Sequence, residues 1–120
     1  MNKLLTLITT LALLTPAWAV ELPPAARQEI QQLLTRLEQS GCQFNRNGSW
    51  YAPKDAKAHL MDKLDYFVRK GEIGSAEQFI EVAAAKSAMT GKPYLVQCPG
   101  APQVEMQSWL QGQLKQLRGK

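Results

Sequence analysis

The side chains best suited to nucleophilic chemistry in this chain are a few hydroxyls and a single imidazole. His59 is the only histidine, and the hydroxyls that it could activate are those of Ser49, Ser75, Ser87, Thr90 and Ser108. A serine hydrolase needs a base beside its nucleophile and a third group that orients the base. No serine stands in a Gly-x-Ser-x-Gly turn. The pattern therefore favours a protein that is not an enzyme. A small cell-envelope hydrolase that uses His59 with a nearby serine is the alternative hypothesis.

Paired carboxylates could instead perform acid–base chemistry on a glycan. Asp62 and Asp65 are three residues apart and share a helix face, with Lys63 and Arg69 close enough to pair with them. We interpret these charges as a salt-linked surface. Metal-ligand spacings and glycine-rich phosphate-binding motifs are absent from the sequence, so no metal and no cofactor are predicted.

A third group of side chains suits binding. Arg46 precedes a predicted hairpin turn, Tyr94 lies opposite it in a predicted strand, and Lys92 leads into that strand. Together with Trp50 they offer positive charge, hydrogen-bond donors and aromatic surface. The leading hypothesis is a non-enzymatic binding or interaction module for a small anionic partner, a peptide or another protein. The alternative is that Arg46 is a solvated turn residue, while Gly91 and Pro93 serve as the helix stop and the entry to the strand.

The charge of the chain is modest and evenly spread. Its net charge is +4, and no run of lysine or arginine occurs. Nucleic-acid-binding proteins normally cluster their basic residues, so no nucleic-acid partner is predicted.

The first residues predict an export signal. Lys3 provides positive charge, an apolar run extends from Leu4 to Leu14, and Ala17-Trp18-Ala19 offers the small residues of a cleavage site after Ala19. The alternative is a membrane anchor, but a spanning helix needs about 20 apolar residues. We therefore predict a signal peptide over residues 1–19 and a single exported α+β domain over residues 20–120, without a transmembrane segment in the mature chain.

The predicted export affects the expected oxidation state of the cysteines. Cys42 and Cys98 are the only two in the chain, and disulfides persist in compartments outside the cytoplasm. A redox pair or metal site is the competing interpretation, but the sequence lacks Cys-x-x-Cys and His/Cys spacing. The two cysteines are therefore predicted to be bonded to each other.

Four stretches show helical periodicity. The first runs from Pro23-Pro24 to Ser40, and the second from Ala52-Pro53 to about Lys70, with His59 on the flank of its apolar stripe. The third begins at Ser75, which forms a capping-box pattern with Gln78, and is predicted to end at Thr90-Gly91-Lys92-Pro93. The last begins at about Val104.

Two stretches show strand signals. Asn47-Gly48 lies between alternating residues and predicts a hairpin that pairs Arg46 with Ser49, Asn45 with Trp50 and Phe44 with Tyr51. The second strand signal is Tyr94 to Cys98. A Cys42–Cys98 bond would place that strand beside the first, antiparallel, with Val96 near Phe44.

The prediction is an α+β fold with a three-stranded antiparallel sheet of order 2-1-3, about four helices and one disulfide. Helices would cover one face of the sheet. Trp50, Leu95 and Asn45 would lie on the other face, which the terminal helix could leave open or cover.

Several of these motifs together resemble a known family. They are Gly41 to Tyr51, Ala56 to Leu64 with His59-Leu60 and Lys63-Leu64, Ser75 to Ile80, Thr90 to Tyr94, and Cys98-Pro99-Gly100. The combination resembles the YfeK-like family of small exported bacterial proteins and covers nearly the whole mature chain. The resemblance implies a Gram-negative periplasmic setting and an unknown function, with no catalytic residue or ligand to carry over.

Overall fold

The computed structural model describes residues 20–120, so the predicted signal peptide lies outside the described part of the chain. The helices and strands, numbered in chain order, are α1 Pro24–Glu38, β1 Gln43–Arg46, β2 Ser49–Tyr51, α2 Pro53–Arg69, α3 Ala76–Ala83, β3 Leu95–Gln97, β4 Val104–Glu105 and α4 Met106–Leu117. This is an α+β fold, as predicted.

The first two helices begin where the sequence predicts. Each has a proline in its first turn, where the missing N–H is not needed and the fixed φ suits the helix. The apolar face of α1 is buried at Ile30, Leu33, Leu34 and Leu37. Helix α3 is capped by Ser75, whose hydroxyl accepts a hydrogen bond from the Gln78 N–H at 3.0 Å. The Gln78 side chain accepts from the Gly74 N–H instead of closing the box on Ser75.

The hairpin has the predicted register, with Phe44 opposite Tyr51, Asn45 opposite Trp50 and Arg46 opposite Ser49. Its turn residues Asn47 and Gly48 have φ values of 53° and 87°. Both therefore occupy the left-handed region that this turn type requires and that asparagine and glycine adopt most readily.

The sheet has one strand more than predicted. Its order is β2-β1-β3-β4, so the predicted order 2-1-3 is confirmed and extended by β4. Strand β3 pairs with β1 through Phe44 opposite Val96, as expected. Val104 and Glu105 were predicted to start the last helix, but they pair with Val96 and Leu95. The helix begins only at Met106 because the backbone of the two preceding residues is extended along the edge of β3.

The third helix is shorter than predicted and ends at Ala83. The chain then turns, and Lys86 bridges Pro93 in antiparallel fashion. Ser87 is buried, and its hydroxyl accepts hydrogen bonds from the N–H groups of Met89 and Thr90. Such local side-chain bonds compete with helix formation, which explains why the helix does not continue to Thr90.

Cys42 and Cys98 form a disulfide. The bond joins the start of β1 to the residue after β3, so it closes the sheet at the end opposite Arg46 and Tyr94. A disulfide agrees with an oxidising environment.

Among residues 20–120, the helices cover one face of the sheet. The core comprises apolar side chains of all four helices together with Phe44 and Val96 from the inner face of the sheet. Helix α4 joins this side, since Trp109 meets Phe44 edge to face at a centroid distance of 5.9 Å. The terminal helix therefore leaves the outer face open, where Trp50 is 44% exposed. Within residues 20–120, no helix combines the length and apolar character needed to cross a bilayer.

Candidate functional site

A pocket of about 310 Å³ lies between the inner face of the sheet and α2. One end carries Arg46, Tyr51, His59 and Tyr94, whereas the walls are largely apolar. The residues that line the pocket are Phe44, Asn45, Arg46, Tyr51, Asp55, Ala56, His59, Leu60, Tyr94 and Met106. They come from both hairpin strands, from α2, from the residue before β3 and from the start of α4.

The sheet and the following loop fix the polar end of this pocket. Arg46 and Tyr51 point to the inner face of the hairpin, as does Phe44, because alternate residues of a strand share a face. Tyr94 is held from both sides of its backbone: its N–H donates to the Ala85 carbonyl at 3.0 Å, and its carbonyl accepts from the Met106 N–H at 2.8 Å. The position of the tyrosine ring is therefore fixed by two other chain segments and by β3, which follows Tyr94 directly.

The hairpin turn is tied to the loop before Tyr94. Thr90 donates its hydroxyl hydrogen to the Asn47 side-chain oxygen at 2.6 Å, and the Asn47 amide donates to the Ser87 hydroxyl at 3.3 Å. These contacts hold the Arg46 end of the hairpin against the segment that carries Tyr94. The Asn-Gly-Ser sequence at the turn thus has a structural role through its asparagine.

Hydrogen bonds link the polar groups of the pocket in a row. The Arg46 guanidinium donates from Nη2 to the Tyr51 hydroxyl at 3.2 Å and contacts Nδ1 of His59 from Nη1 at 3.4 Å. His59 Nε2 lies 3.2 Å from the Tyr94 hydroxyl, to which Lys63 Nζ donates at 2.9 Å. Lys63 also donates to the Lys86 carbonyl at 3.0 Å.

The donors in this row determine the histidine tautomer. A guanidinium can only donate, so the Nδ1 atom that faces Arg46 must accept. The proton of neutral His59 then resides on Nε2 and is donated to the Tyr94 oxygen. That oxygen already accepts from Lys63. The hydroxyl hydrogen of Tyr94 has no acceptor among residues 20–120 and is free to be donated to a ligand in the pocket.

The same groups shift one another's pKa values. Burial lowers the pKa of His59, and the positive charges of Arg46 and Lys63 lower it further, against a smaller opposing effect of Asp62. Burial and the Arg46 charge lower the pKa of Lys63 to about 8. Burial raises the pKa of the Tyr94 hydroxyl, and Arg46 opposes this rise. At neutral pH the site holds two cations, Arg46 and Lys63, beside a neutral imidazole.

Comparison with known proteins places the chain in a family. Residues 24–118 match the model of the family of unknown function DUF5329. This chain belongs to the DUF5329 family. The uncharacterized protein YfeK of Salmonella typhimurium is 38% identical over 96 residues, which cover 78% of this chain and 77% of YfeK. The resemblance to a YfeK-like family is thus confirmed, and the family has no assigned function. No solved structure shows a significant match to the chain.

Two of the side chains predicted to bind a partner meet in the pocket of this DUF5329 protein. Arg46 and Tyr94 both line it, and His59 lies between them. Trp50 points away on the outer face of the sheet, and Lys92 is exposed in the loop before Tyr94. Neither of these two lines the pocket.

The sequence analysis missed three residues of this DUF5329 site. Tyr51 and Lys63 were not assigned to it, and His59 was considered only as a catalytic base and not as a binding residue. Lys63 was expected to pair with Asp62 or Asp65, but its ammonium contacts the Tyr94 hydroxyl and lies 4.8 Å from the centre of the Tyr94 ring. The signal that could have revealed the group is the spacing of Asp55, His59 and Lys63, four residues apart on one helix face.

The hydrogen-bond partners of His59 are Arg46 and Tyr94. The candidate nucleophiles Ser75 and Ser87 serve as a helix cap and a turn-stabilising acceptor. In the part of the chain that the structure describes, no three His, Cys, Asp or Glu side chains gather in a way that could hold a metal ion.

The lowered pKa of His59 predicts a dependence of stability on pH. Between the ordinary value of about 6.5 and the lower folded value, the unfolded chain binds more protons than the folded protein. The contribution of His59 to the free energy of unfolding should therefore be present above pH 6.5 and should be lost as the pH is lowered through this window.

Two measurements check this prediction. Urea unfolding at a series of pH values should show the loss in the native protein and a smaller one in His59→Gln. Proton NMR titration of the single imidazole should give a pKa below 6.5 that rises in Arg46→Gln and stays unchanged in Lys92→Gln. A pKa at or above 6.5 in the native protein would contradict the arrangement.

Proposed function

We propose that the protein binds a small ligand that combines an anionic group, such as a carboxylate or phosphate, with an apolar body. The observation that supports this most directly is positive charge without a counter-ion. Within residues 20–120, no carboxylate oxygen lies within 4 Å of the charged nitrogens of Arg46 or Lys63. A partly buried pair of cations is costly unless it is compensated, and a bound anion would compensate it.

The donors in the pocket converge from several directions. Arg46 has N–H groups beyond those given to Tyr51 and His59, because a guanidinium carries five. The Tyr94 hydroxyl has a free hydrogen, and the Tyr51 hydroxyl accepts from Arg46 and can donate its own hydrogen. Charge-assisted hydrogen bonds of this kind are the strong ones.

The remainder of the pocket suits an apolar group. Phe44, Ala56, Leu60 and Met106 line it, and all four belong to the buried core. A volume of about 310 Å³ lies at the lower end of the range typical of ligand pockets, roughly 300 to 1,000 Å³. A few polar groups on an otherwise apolar wall are the usual composition of such sites. The ligand should therefore be small.

A hydrolase that uses His59 with a serine has less support. His59 contacts a cation and a phenol, and within residues 20–120 no carboxylate oxygen lies within 4 Å of its ring nitrogens to orient it as a base. The neighbouring charges also reduce its affinity for a proton. That Lys92 and Trp50 contribute to binding stays a prediction. Both lie outside the pocket, so they would act through a wider surface that contacts a protein partner.

We further propose that the protein works in the periplasm. The disulfide supports an exported location, and the first residues have the pattern of a cleavable signal. The amino terminus of the protein recovered from the periplasm should be Val20.

Binding can be tested with 3-phenylpropionate, which joins a carboxylate to an apolar body, and with the uncharged 3-phenylpropanamide as its control. The carboxylate should shift the His59 ring resonances and raise the pKa of this histidine, because an adjacent anion favours the imidazolium. Arg46→Gln should weaken binding by about tenfold or more.

Lys92→Gln removes a positive charge outside the pocket and should leave the affinity unchanged. If Arg46→Gln and Lys92→Gln reduced affinity equally, binding would reflect net charge alone. The proposal is wrong if the amide binds as tightly as the carboxylate, or if neither compound affects His59.

A further inference from the structure

Asp55 is the one acidic residue among those that line the pocket. It is exposed to solvent. Within residues 20–120, no lysine, arginine or histidine nitrogen lies within 4 Å of its carboxylate. Asp55 occupies the first turn of α2, where a negative charge is favoured by the helix dipole. The carboxylate therefore has no ion-pair partner among these residues.

Asp55 and His59 are four residues apart on α2 and both line the pocket. Residues at this spacing lie on one helix face, one above the other, about 6 Å apart along the axis. Asp55 and His59, whose ring contacts Arg46 and Tyr94, are thus separated along α2 by slightly more than one helical turn. Ala56 and Leu60 add apolar surface from the same helix to the pocket.

We infer that the ligand is a zwitterion of dipeptide size, with its carboxylate at Arg46 and Tyr94 and its ammonium group at Asp55. This inference rests on the proposed function and adds a second recognition point to it. A simple anion would leave Asp55 without an ion-pair partner, and Asp55 would repel a second negative charge. The acidic group thereby selects against dianions and in favour of ligands that also carry a positive charge.

The separation of the two ends favours two residues over one. In a single amino acid the ammonium and carboxylate groups are attached to the same carbon, whereas successive Cα atoms of a peptide are about 3.8 Å apart. A dipeptide can therefore reach across about one helical turn, and its peptide unit would lie along Ala56. An apolar carboxyl-terminal side chain would contact Leu60 and Met106, which line the same pocket.

Three forms of one dipeptide test the inference by isothermal titration calorimetry. Alanyl-leucine carries both charges, N-acetyl-alanyl-leucine only the carboxylate, and alanyl-leucinamide only the ammonium group. The native protein should bind alanyl-leucine about five- to tenfold more tightly than the acetylated form, as expected for one partly exposed ion pair. The leucinamide should bind more weakly than either.

Asp55→Asn should bind the free and acetylated dipeptides equally, whereas Asp62→Asn, which removes a carboxylate of the same helix outside the pocket, should keep the difference. The zwitterion inference is overturned if the native protein binds the free and the acetylated dipeptide equally. It is also overturned if the difference between these two ligands survives in Asp55→Asn. In that case 3-phenylpropionate should still shift the His59 resonances if the anion site exists. If neither this compound nor any dipeptide does so, the proposed function itself fails.

Discussion

Replacing Cys42 and Cys98 together by alanine should lower the free energy of unfolding by about 4 kcal/mol. The two cysteines are separated by 56 positions, and opening such a long loop increases the conformational entropy of the unfolded chain by this amount in the chain-entropy model. The total stability of a small domain is only about 5 to 15 kcal/mol. The loss therefore removes a large share of the stability.

Urea unfolding of the double variant and of the reduced native protein measures the effect. Both should show a lower midpoint than the oxidised native protein, and the two losses should be similar, since both open the same loop. The intact mass of the native protein should lack two hydrogens relative to the fully reduced chain. A stability loss below about 1 kcal/mol would show that the bond does not act through the entropy of the unfolded chain.

Phe44→Ala should destabilise the protein by about 3 to 5 kcal/mol, the usual cost of deleting a buried aromatic side chain. Phe44 is 2% exposed. Its ring contacts Trp109 edge to face, and its backbone pairs with Tyr51 on one side and Val96 on the other. It also lines the pocket, so the substitution removes both core packing and part of the ligand wall.

Trp50→Ala is the matched control in the same hairpin. Trp50 projects from the opposite face of the sheet and is 44% exposed, so its removal should lower the free energy of unfolding by about 1 kcal/mol, well below the loss expected for Phe44→Ala. Urea unfolding of both variants makes the comparison. Equal losses would mean that the outer face is packed and would contradict a sheet covered on one side.

Local sequence signals predicted those parts of the fold that depend on neighbouring residues. Asn47-Gly48 determined the hairpin and its register because few residues other than asparagine and glycine suit that turn. The cysteine pair then placed the third strand beside the first. Helices α1 and α2 followed from proline starts and apolar spacing.

The errors lie where tertiary contacts outweigh local preference. Val104 and Glu105 are too few to show strand periodicity and become a strand only because the edge of β3 is available. The alanines after α3 suit a helix, but the bridge between Lys86 and Pro93 and the buried Ser87 end it. Both errors concern segments of a few residues whose conformation is determined by backbone pairing with another part of the chain.

The candidate site was predicted only in part, because it also depends on tertiary contacts. Arg46 and Tyr94 were expected to lie near each other from the strand pairing. The sequence could not show that α2 crosses the sheet at the height where His59 and Lys63 reach Tyr94. That depends on how a helix packs on a sheet, and the helix face alone does not determine it.

The position of β1 in the centre of the sheet has a consequence for the order of folding. Its hairpin partner β2 follows after two residues, whereas β3 returns only after α2 and α3 have been passed. Closing that long loop costs entropy before any pairing is gained, and non-local pairings of this kind form slowly. The pocket needs β1, α2 and Tyr94 together. It therefore belongs to the late stages of folding, and its ligand can bind only after the chain has nearly completed its structure.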